Sequence, residues 1–339
     1  MRVAVLGAGA VGGTLAALLA RAGHHVEVTA RGENLDAIRR GGIRLEGGFG
    51  SYHAEVEASQ TLAGAFDVAI LATKAQDAAA ALDASAAALQ GVPLLVVQNG
   101  LGGLGVAAEH APSSPVLAGL ALFAASYVEP GHVLVTGENP LVIGAPDSTS
   151  RDVLDRVATV LGSALPVEVT HDIRGAQWTK LLINHVNALP AITGLSVQEV
   201  VADDGLRRVM TASMRESVRI ARQTGVRFGS MQGVPGRVLE LIGMVPLWAG
   251  AAFPRLLARR MGSVPNPGST LQSVRRGQLT EIDFLNGAVV EAARAGGVPA
   301  PVNTAIVEMV HEVERTGAFV TPAEVVARVG RRGQDERHG

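Results

Sequence analysis

The chain has 339 residues, enough for about two domains, and is 47% hydrophobic and 18% charged, a balance that folds and excludes an intrinsically disordered protein. A net charge of −2, from 29 basic and 31 acidic residues, lacks the basic excess of a nucleic-acid binder. The absence of cysteine excludes disulfides, thiolate metal sites and a cysteine nucleophile, and fits a cytoplasmic protein.

Arg2–Leu6 reads as a buried strand, followed by glycines at 7, 9, 12 and 13 and a helix over Leu15–Ala22 closed by Gly23. The apolar stretch Val3–Ala20 could pass for a membrane span or signal segment, but four glycines and no aromatic favour a buried strand and helix. A second strand is expected over His25–Ala30 and a short helix over Asn34–Arg40. Ile43–Glu46 and Tyr52–Glu57 read as a hairpin pair. Asp67–Thr73 and Pro93–Val97 read as apolar strands, separated by an alanine-rich helix from Gln76 to Leu89. Strands alternating with helices predict a parallel sheet covered on both faces. Val133–Thr136 and Leu141–Ile143 are expected as an antiparallel addition to it. A helix over Asp152–Leu165 and a strand over Val167–Val169 close the α/β part.

Beyond Asp172 the strand signal fades. Helical periods run over 173–195, 203–224, 270–296, 302–314 and 322–329. The expectation is a Rossmann-type α/β domain over 1–170, an all-α domain over 171–330 and a charged, frayed tail over 331–339. Residues 229–268, rich in Gly, Pro and Met, read as a packed helical insertion or subunit contact; a membrane-surface helix is the less favoured alternative.

Gly7-Ala8-Gly9-Ala10-Val11-Gly12 is a GxGxxG run, weak alone but set between a strand and a helix within a βαβ unit, as a dinucleotide site requires. Gly7 suits the tight turn, Gly9 the approach of a pyrophosphate, and Gly12 close helix–strand packing; Ala10 and Val11 begin the helix whose N–H groups face the phosphates. The second strand runs Val28-Thr29-Ala30-Arg31. A carboxylate for a ribose 2′-hydroxyl is missing from its end, since Glu27 lies inside the strand, whereas Arg31 suits a 2′-phosphate. The predicted cofactor is therefore NADP(H) rather than NAD(H). Lys74 and Asn99 follow the next two strands, where Lys74 can meet cofactor phosphate or ribose and Asn99 can hydrogen-bond near the nicotinamide.

Only two of the 29 basic residues, Lys74 and Lys180, are lysines. In a chain that uses arginine almost throughout, a retained lysine is a candidate for proton donation or for a compact cation. Spacings of four and seven put Lys180, Asn184 and Asn187 on one face of an otherwise apolar helix, a wall for a polar ligand, with His185 off that face as a packed or surface histidine. Thr280-Glu281-Ile282-Asp283 resembles a capping box with Asp at the last position. That gives Asp283 a structural task and leaves Glu281 in a helix's first turn, its charge supported by the helix dipole.

Taken together, the chain resembles the ketopantoate reductase (2-dehydropantoate 2-reductase) family over nearly its whole length. The resemblance rests on Gly7 to Gly13, Arg31, Thr73-Lys74-Ala75-Gln76, Gln98-Asn99-Gly100, Lys180-Leu181-Leu182-Ile183-Asn184, Asn266 with Ser269, and Leu271-Gln272 leading to Thr280-Glu281-Ile282-Asp283 and Asn286-Gly287. It implies NADPH-dependent reduction of a small-molecule 2-oxo acid, with a helical second domain of the 6-phosphogluconate dehydrogenase-like type. Lys180 would be the general acid, Glu281 would help to hold substrate, and Asn184, Asn266 and Ser269 would contact it. No metal, nucleic-acid or membrane partner is implied, and the expected state is a monomer or homodimer. Three features depart from the family pattern. Ser273 stands where an acid is frequent, Ala188 stands where a second asparagine is expected, with Asn187 as its candidate replacement, and 229–268 is long. All three surround the substrate, so reduction of another 2-oxo acid or an imine stays open, as does a non-catalytic NADP(H) sensor.

Overall fold

The computed structural model describes residues 1–146, 148–231 and 233–335, the last four by backbone alone. The chain divides into two compact units, Met1–Ile173 and a second beginning at Arg174.

The first unit contains twelve strands among its described residues: β1 (Arg2–Leu6), β2 (His25–Thr29), β3 (Ile43–Gly47), β4 (Tyr52–Ala54), β5 (Glu57–Ser59), β6 (Val68–Leu71), β7 (Leu94–Val96), β8 (Val116–Ala121), β9 (Ala124–Glu129), β10 (His132–Gly137), β11 (Leu141–Gly144) and β12 (Val167–Val169). Eight form one sheet in the order β12-β11-β8-β7-β6-β1-β2-β5. Its strands from β8 to β5 run parallel, and β11 is antiparallel to β8. The central strands are apolar on both faces (β6 Val-Ala-Ile-Leu is wholly buried) because helices cover both sides of a parallel sheet. The chain crosses from β1 to β2 on one side and returns to β6 on the other, so the strand order reverses at β1. In a doubly wound sheet, ligands bind outside the carboxyl ends of the strands at that point.

β10 departs from expectation. It does not join the main sheet but pairs in parallel with β3 and antiparallel with β9, in a second sheet of order β4-β3-β10-β9. Its alternation is the reason: Val133 and Val135 turn inward to the core around the Ala10–Arg21 helix, together with Ile43 and Leu45 of β3. The expected Tyr52–Glu57 strand is divided for the same reason. β4 closes the hairpin with β3, whereas β5 pairs with β2 in the main sheet. The alanine-rich helix breaks at Ser85, whose hydroxyl accepts the Leu62 N–H.

The second unit is helical, its described residues containing no strand beyond the bridge Met231–Val234. Its longest helix, Asp204–Gln223, is capped by the Asp203 side chain and buries Leu206, Met210, Met214 and Val218. Residues 229–268 carry three short helices, Gly236–Ile242, Leu247–Gly250 and Ala252–Arg260, which bury Leu239, Ile242, Phe253 and Leu257 and leave Trp248 exposed. Among the described residues no helix is long and apolar enough to cross a membrane. The final helix, Pro322–Asp335, runs past the expected end at 330. Arg331 suits the negative end of a helix dipole, and residues 336–339 of the expected tail lie outside the described residues.

Candidate active site

Four of the predicted cofactor positions follow the carboxyl ends of adjacent parallel strands: the glycine turn after β1, Arg31 after β2, Lys74 after β6 and Asn99 after β7. The sheet therefore gathers them along one edge. Gly7 adopts φ +98° and donates its N–H to Thr29 Oγ1 at 3.0 Å, and Ala8 donates to the Thr29 carbonyl at 3.0 Å. Asn34 steadies the turn from outside by donating to the Ala8 carbonyl at 2.9 Å and accepting the Gly131 N–H at 2.8 Å. A Cβ on Gly12 would lie 1.9 Å from the Gly7 carbonyl oxygen, whereas a Cβ on Gly9 would meet nothing within 4 Å. Gly12 is thus a packing glycine, and Gly9 borders open space. The helix that follows, Ala10–Arg21, has no side-chain cap and no acid in its first turn, so the N–H groups of Ala10, Val11 and Gly12 point toward that space. Such an end attracts an anion.

Arg31 is exposed, with Nη1 3.7 Å from Asp77 Oδ1. An exposed pair of this kind holds its guanidinium weakly and leaves it able to grip an incoming phosphate. Lys74 starts the turn Ala75–Asp77. The Gln98 amide donates to the Thr73 carbonyl at 2.9 Å and to the Lys74 carbonyl at 3.4 Å, which sets the backbone that carries this lysine. Neither Gln98 nor Asn34 is among the expected cofactor residues; the polar run Gln98-Asn99-Gly100 at a strand end is the sequence signal for the first.

In the second unit, Lys180 and Asn184 lie on the Ile173–Asn184 helix, which changes to a 3-10 turn at His185–Asn187 and resumes at Ala188–Thr193. The expected unbroken helix is corrected there, and Asn187 is rotated relative to the stripe set by Lys180 and Asn184. Asn187 instead meets the start of the Gly268–Arg275 helix. Gly268 has φ +71°, and a Cβ there would lie 2.5 Å from Asn187 Oδ1. Asn266, two residues earlier, accepts the Gly268 N–H on Oδ1 at 2.8 Å, its backbone N–H donates to Gln198 Oε1 at 2.9 Å, and its carbonyl accepts the Val197 N–H at 2.8 Å. Its side-chain oxygen is thus engaged in the turn, which leaves Nδ2 as the group it can offer a ligand. Ser269 is exposed at the start of the same helix.

Lys180 is half-buried. Burial pulls its amine from the ordinary 10.5 down to about 8, and the negative charge of Glu281 pushes back in the opposite direction. The two side chains therefore lie within electrostatic reach. The expected dipole support for Glu281 is not present. Glu281 precedes a 3-10 turn of three residues, Ile282–Phe284, and the next α-helix begins only at Asn286. Thr280 Oγ1 accepts the Ile282 N–H, but Asp283 does not complete a capping box. One methylene shorter than the usual Glu, it turns out to His311 at 3.0 Å. The expected helical period over 270–296 breaks into separate pieces at this loop.

His185 is buried, with Nδ1 2.8 Å from the Leu181 carbonyl and Nε2 2.7 Å from Ser217 Oγ. Burial lowers its pKa from 6.5 to about 4, so the fold holds it neutral. Because an unfolded chain protonates it below about pH 6.5, this histidine contributes stability that is complete above that pH and is lost as pH falls to about 4. At about 1.4 kcal/mol per unit, the loss is up to about 3 kcal/mol. Thermal midpoints measured across this window should fall more steeply for the wild type than for His185→Gln.

Residues 3–148 match the family described as ketopantoate reductase PanE/ApbA, and residues 172–314 match its C-terminal domain. The chain belongs to the ketopantoate reductase family. A 2-dehydropantoate 2-reductase of Halobacterium salinarum is 30% identical over 94% of this chain and 100% of its own. The crystal structure of a PanE/ApbA family ketopantoate reductase from Ralstonia eutropha JMP134 aligns with a TM-score of 0.79 at 32% identity, over 93% of this chain and 99% of that one. A D-mandelate dehydrogenase, solved with NADH and anilino(oxo)acetate, shares the fold at a TM-score of 0.80 and 19% identity, over 93% of this chain and 99% of that one. As a ketopantoate reductase family member, the protein is an oxidoreductase acting on a CH–OH group.

Proposed function

We propose that this reductase converts 2-dehydropantoate (ketopantoate) to pantoate with NADPH. The observation that carries the reading is a half-buried lysine in a chain nearly without lysines, its pKa drawn to about 8 beside Glu281, on the helix that also presents Asn184.

The residues of the first unit fit the nucleotide. Gly9 leaves room for a pyrophosphate, and the N–H groups of Ala10, Val11 and Gly12 suit its charge. Gly7 forms the turn, Arg31 suits a 2′-phosphate, and Lys74 and Asn99 complete the edge. Glu27, the nearest acid on β2, is buried and accepts a hydrogen bond from Ser59 Oγ, which argues against a carboxylate for a free 2′-hydroxyl. When bound, the cofactor supplies a hydride to the keto carbon. Lys180 supplies the proton to the keto oxygen and stabilises the charge developing there; an amine near 8 releases that proton more readily than one near 10.5. Glu281 favours the ammonium form and helps to hold substrate. Asn184, Asn187, Asn266 and Ser269 bind its carboxylate and hydroxyl. The same reading takes the enzyme as cytoplasmic, a monomer or homodimer, with no nucleic-acid or membrane partner.

Arg31→Ala should weaken NADPH binding by about 10- to 100-fold, the worth of one or two hydrogen bonds to a charged group, and leave NADH binding unchanged in a fluorescence titration. NADPH oxidation with ketopantoate beside bulkier 2-oxo acids tests the substrate. The proposal expects ketopantoate to give the highest kcat/KM. Preference for a bulkier acid would instead assign a related reductase, and tight NADPH binding without turnover on any of them would assign a sensor.

A further inference from the structure

A buried polar cluster links the end of the Lys180 helix to the helix that follows the Glu281 turn, and none of its members is used in the chemistry above. Glu216 of the Asp204–Gln223 helix accepts the backbone N–H groups of Val302 and Asn303 at 3.0 and 2.8 Å, at the start of the Pro301–Thr316 helix, and the Asn303 side-chain amide at 2.7 Å. Its carboxylate thus serves a helix terminus that has no side-chain cap of its own. A carboxylate only accepts, so it fixes the polarity of everything attached to it. Asn303 must present Nδ2 to Glu216 and therefore Oδ1 to the other side, where it accepts from Ser213 Oγ and Asn286 Nδ2, both at 2.8 Å.

A second branch leaves Asn303 through Ser217, 3.4 Å from its Nδ2, to His185. The Leu181 carbonyl can only accept, so the single proton of neutral His185 sits on Nδ1, and the one Ser217 hydroxyl proton is shared between His185 Nε2 at 2.7 Å and the Ser213 carbonyl at 2.9 Å. His185 thereby holds the Leu181 carbonyl at the point where the helix carrying Lys180 changes to a 3-10 turn. At the other end, Asn286 begins the helix that follows the Glu281 turn, whose carbonyl accepts the N–H groups of Phe284 and Leu285.

One cluster thus ties two segments, distant in sequence, to the Asp204–Gln223 helix: the end of the Lys180 helix and the turn that carries Glu281. The cluster is not arranged for stability alone. Asn286 Oδ1 is buried without a hydrogen-bond partner among the described residues, a cost that an apolar side chain of the same shape would avoid.

We propose that His185 and Asn286, joined through Ser217, Asn303 and Ser213, are positioning residues that set the separation of Lys180 from Glu281. The proposal rests on the reading of Lys180 as proton donor for its functional meaning, but its test does not depend on turnover. Because the chain has two lysines, labelling the lysine side chains with 13C gives two resonances, and Lys180→Arg identifies which belongs to Lys180. Its titration reports the amine directly.

The coupling is read as the change in the Lys180 midpoint caused by Glu281→Gln, measured in the wild type and again in Ser217→Ala and Asn286→Ala backgrounds. In the wild type, Glu281→Gln should lower the midpoint. In the two cluster variants that shift should shrink by about half or more, as coupling does when two groups lose their fixed geometry. Val313→Ala, which opens the same helical core away from the cluster, should lower the thermal midpoint and leave the shift intact. Equal shifts in all four backgrounds would overturn the proposal, as would a loss of coupling in Val313→Ala that follows stability alone. Absence of ketopantoate turnover with the predicted loss of coupling would instead overturn the assigned reaction and leave the positioning role standing.

Discussion

Lys180→Ala is expected to lower kcat for 2-oxo acid reduction by about 10²- to 10⁴-fold, the range for losing a positioned general acid, with the Kd for NADPH unchanged. Arginine should not rescue it. A guanidinium keeps its charge, but with a pKa above about 12 it does not give up a proton. The loss is not one of folding. The amine titrates near 8 in the fold and near 10.5 when exposed, so between those pH values the unfolded chain binds more protons than the folded one, and stability rises with pH across that window. At neutral pH the buried ammonium therefore opposes folding, by up to about 3 kcal/mol at about 1.4 kcal/mol per unit. Lys180→Met, which keeps most of the volume and removes the charge, should match or exceed the wild-type thermal midpoint at pH 7 while losing turnover. A midpoint well below wild type would mean that the amine has a structural partner that outweighs its burial.

The second large effect separates two glycines of one motif. Gly12→Ala places a methyl group 1.9 Å from the Gly7 carbonyl, a backbone atom that cannot swing aside. The turn must shift, with a cost of about 1–3 kcal/mol for an overpacked site. Gly9→Ala meets nothing in the protein, and Gly9 has an ordinary φ of −81°, so its thermal midpoint should stay at the wild-type value. Both should weaken NADPH binding by about 10- to 100-fold, the loss expected when one or two charge-assisted contacts are displaced. Gly12→Ala does so by moving the turn, Gly9→Ala by filling the space for the pyrophosphate. Calorimetric unfolding and nucleotide titration on the same two variants check both halves. Unchanged NADPH affinity in Gly9→Ala would remove the pyrophosphate from that position.

What could be read from the sequence was what depends on near neighbours. The spacing of the glycine turn follows from the close approach of Gly12 to Gly7 and from a strand–helix junction, so its pattern is visible in a short window, although Thr29 and Asn34 also hold the turn. The strand ends that carry Arg31, Lys74 and Asn99 were legible because a parallel sheet places every carboxyl end on one edge. Lys180 and Asn184 share a helix face by spacing alone. The misreadings arose where distant partners decide. The alternation of β10 showed a two-faced strand but not which sheet it would join, and that choice is made by the apolar helix face around Gly13 and by β3. The Thr280–Asp283 pattern fitted a capping box locally, but the shorter Asp283 reaches His311, 28 residues away. The cluster of His185, Ser213, Ser217, Asn286 and Asn303 lay beyond any local reading because several of its bonds span 70 to 90 residues. Each member, taken singly, resembles an ordinary helix polar residue.

The pH dependence of kcat for NADPH-dependent ketopantoate reduction, followed from about pH 6 to 10 across the depressed lysine range, tests the central claim most directly. If the Lys180 ammonium donates the proton, kcat is high below pH 8 and falls as pH rises, with a midpoint near the amine's pKa of about 8, and the falling limb vanishes in Lys180→Ala together with most of the rate. A profile that stays level through pH 8, or a falling limb that persists in Lys180→Ala, would contradict the account.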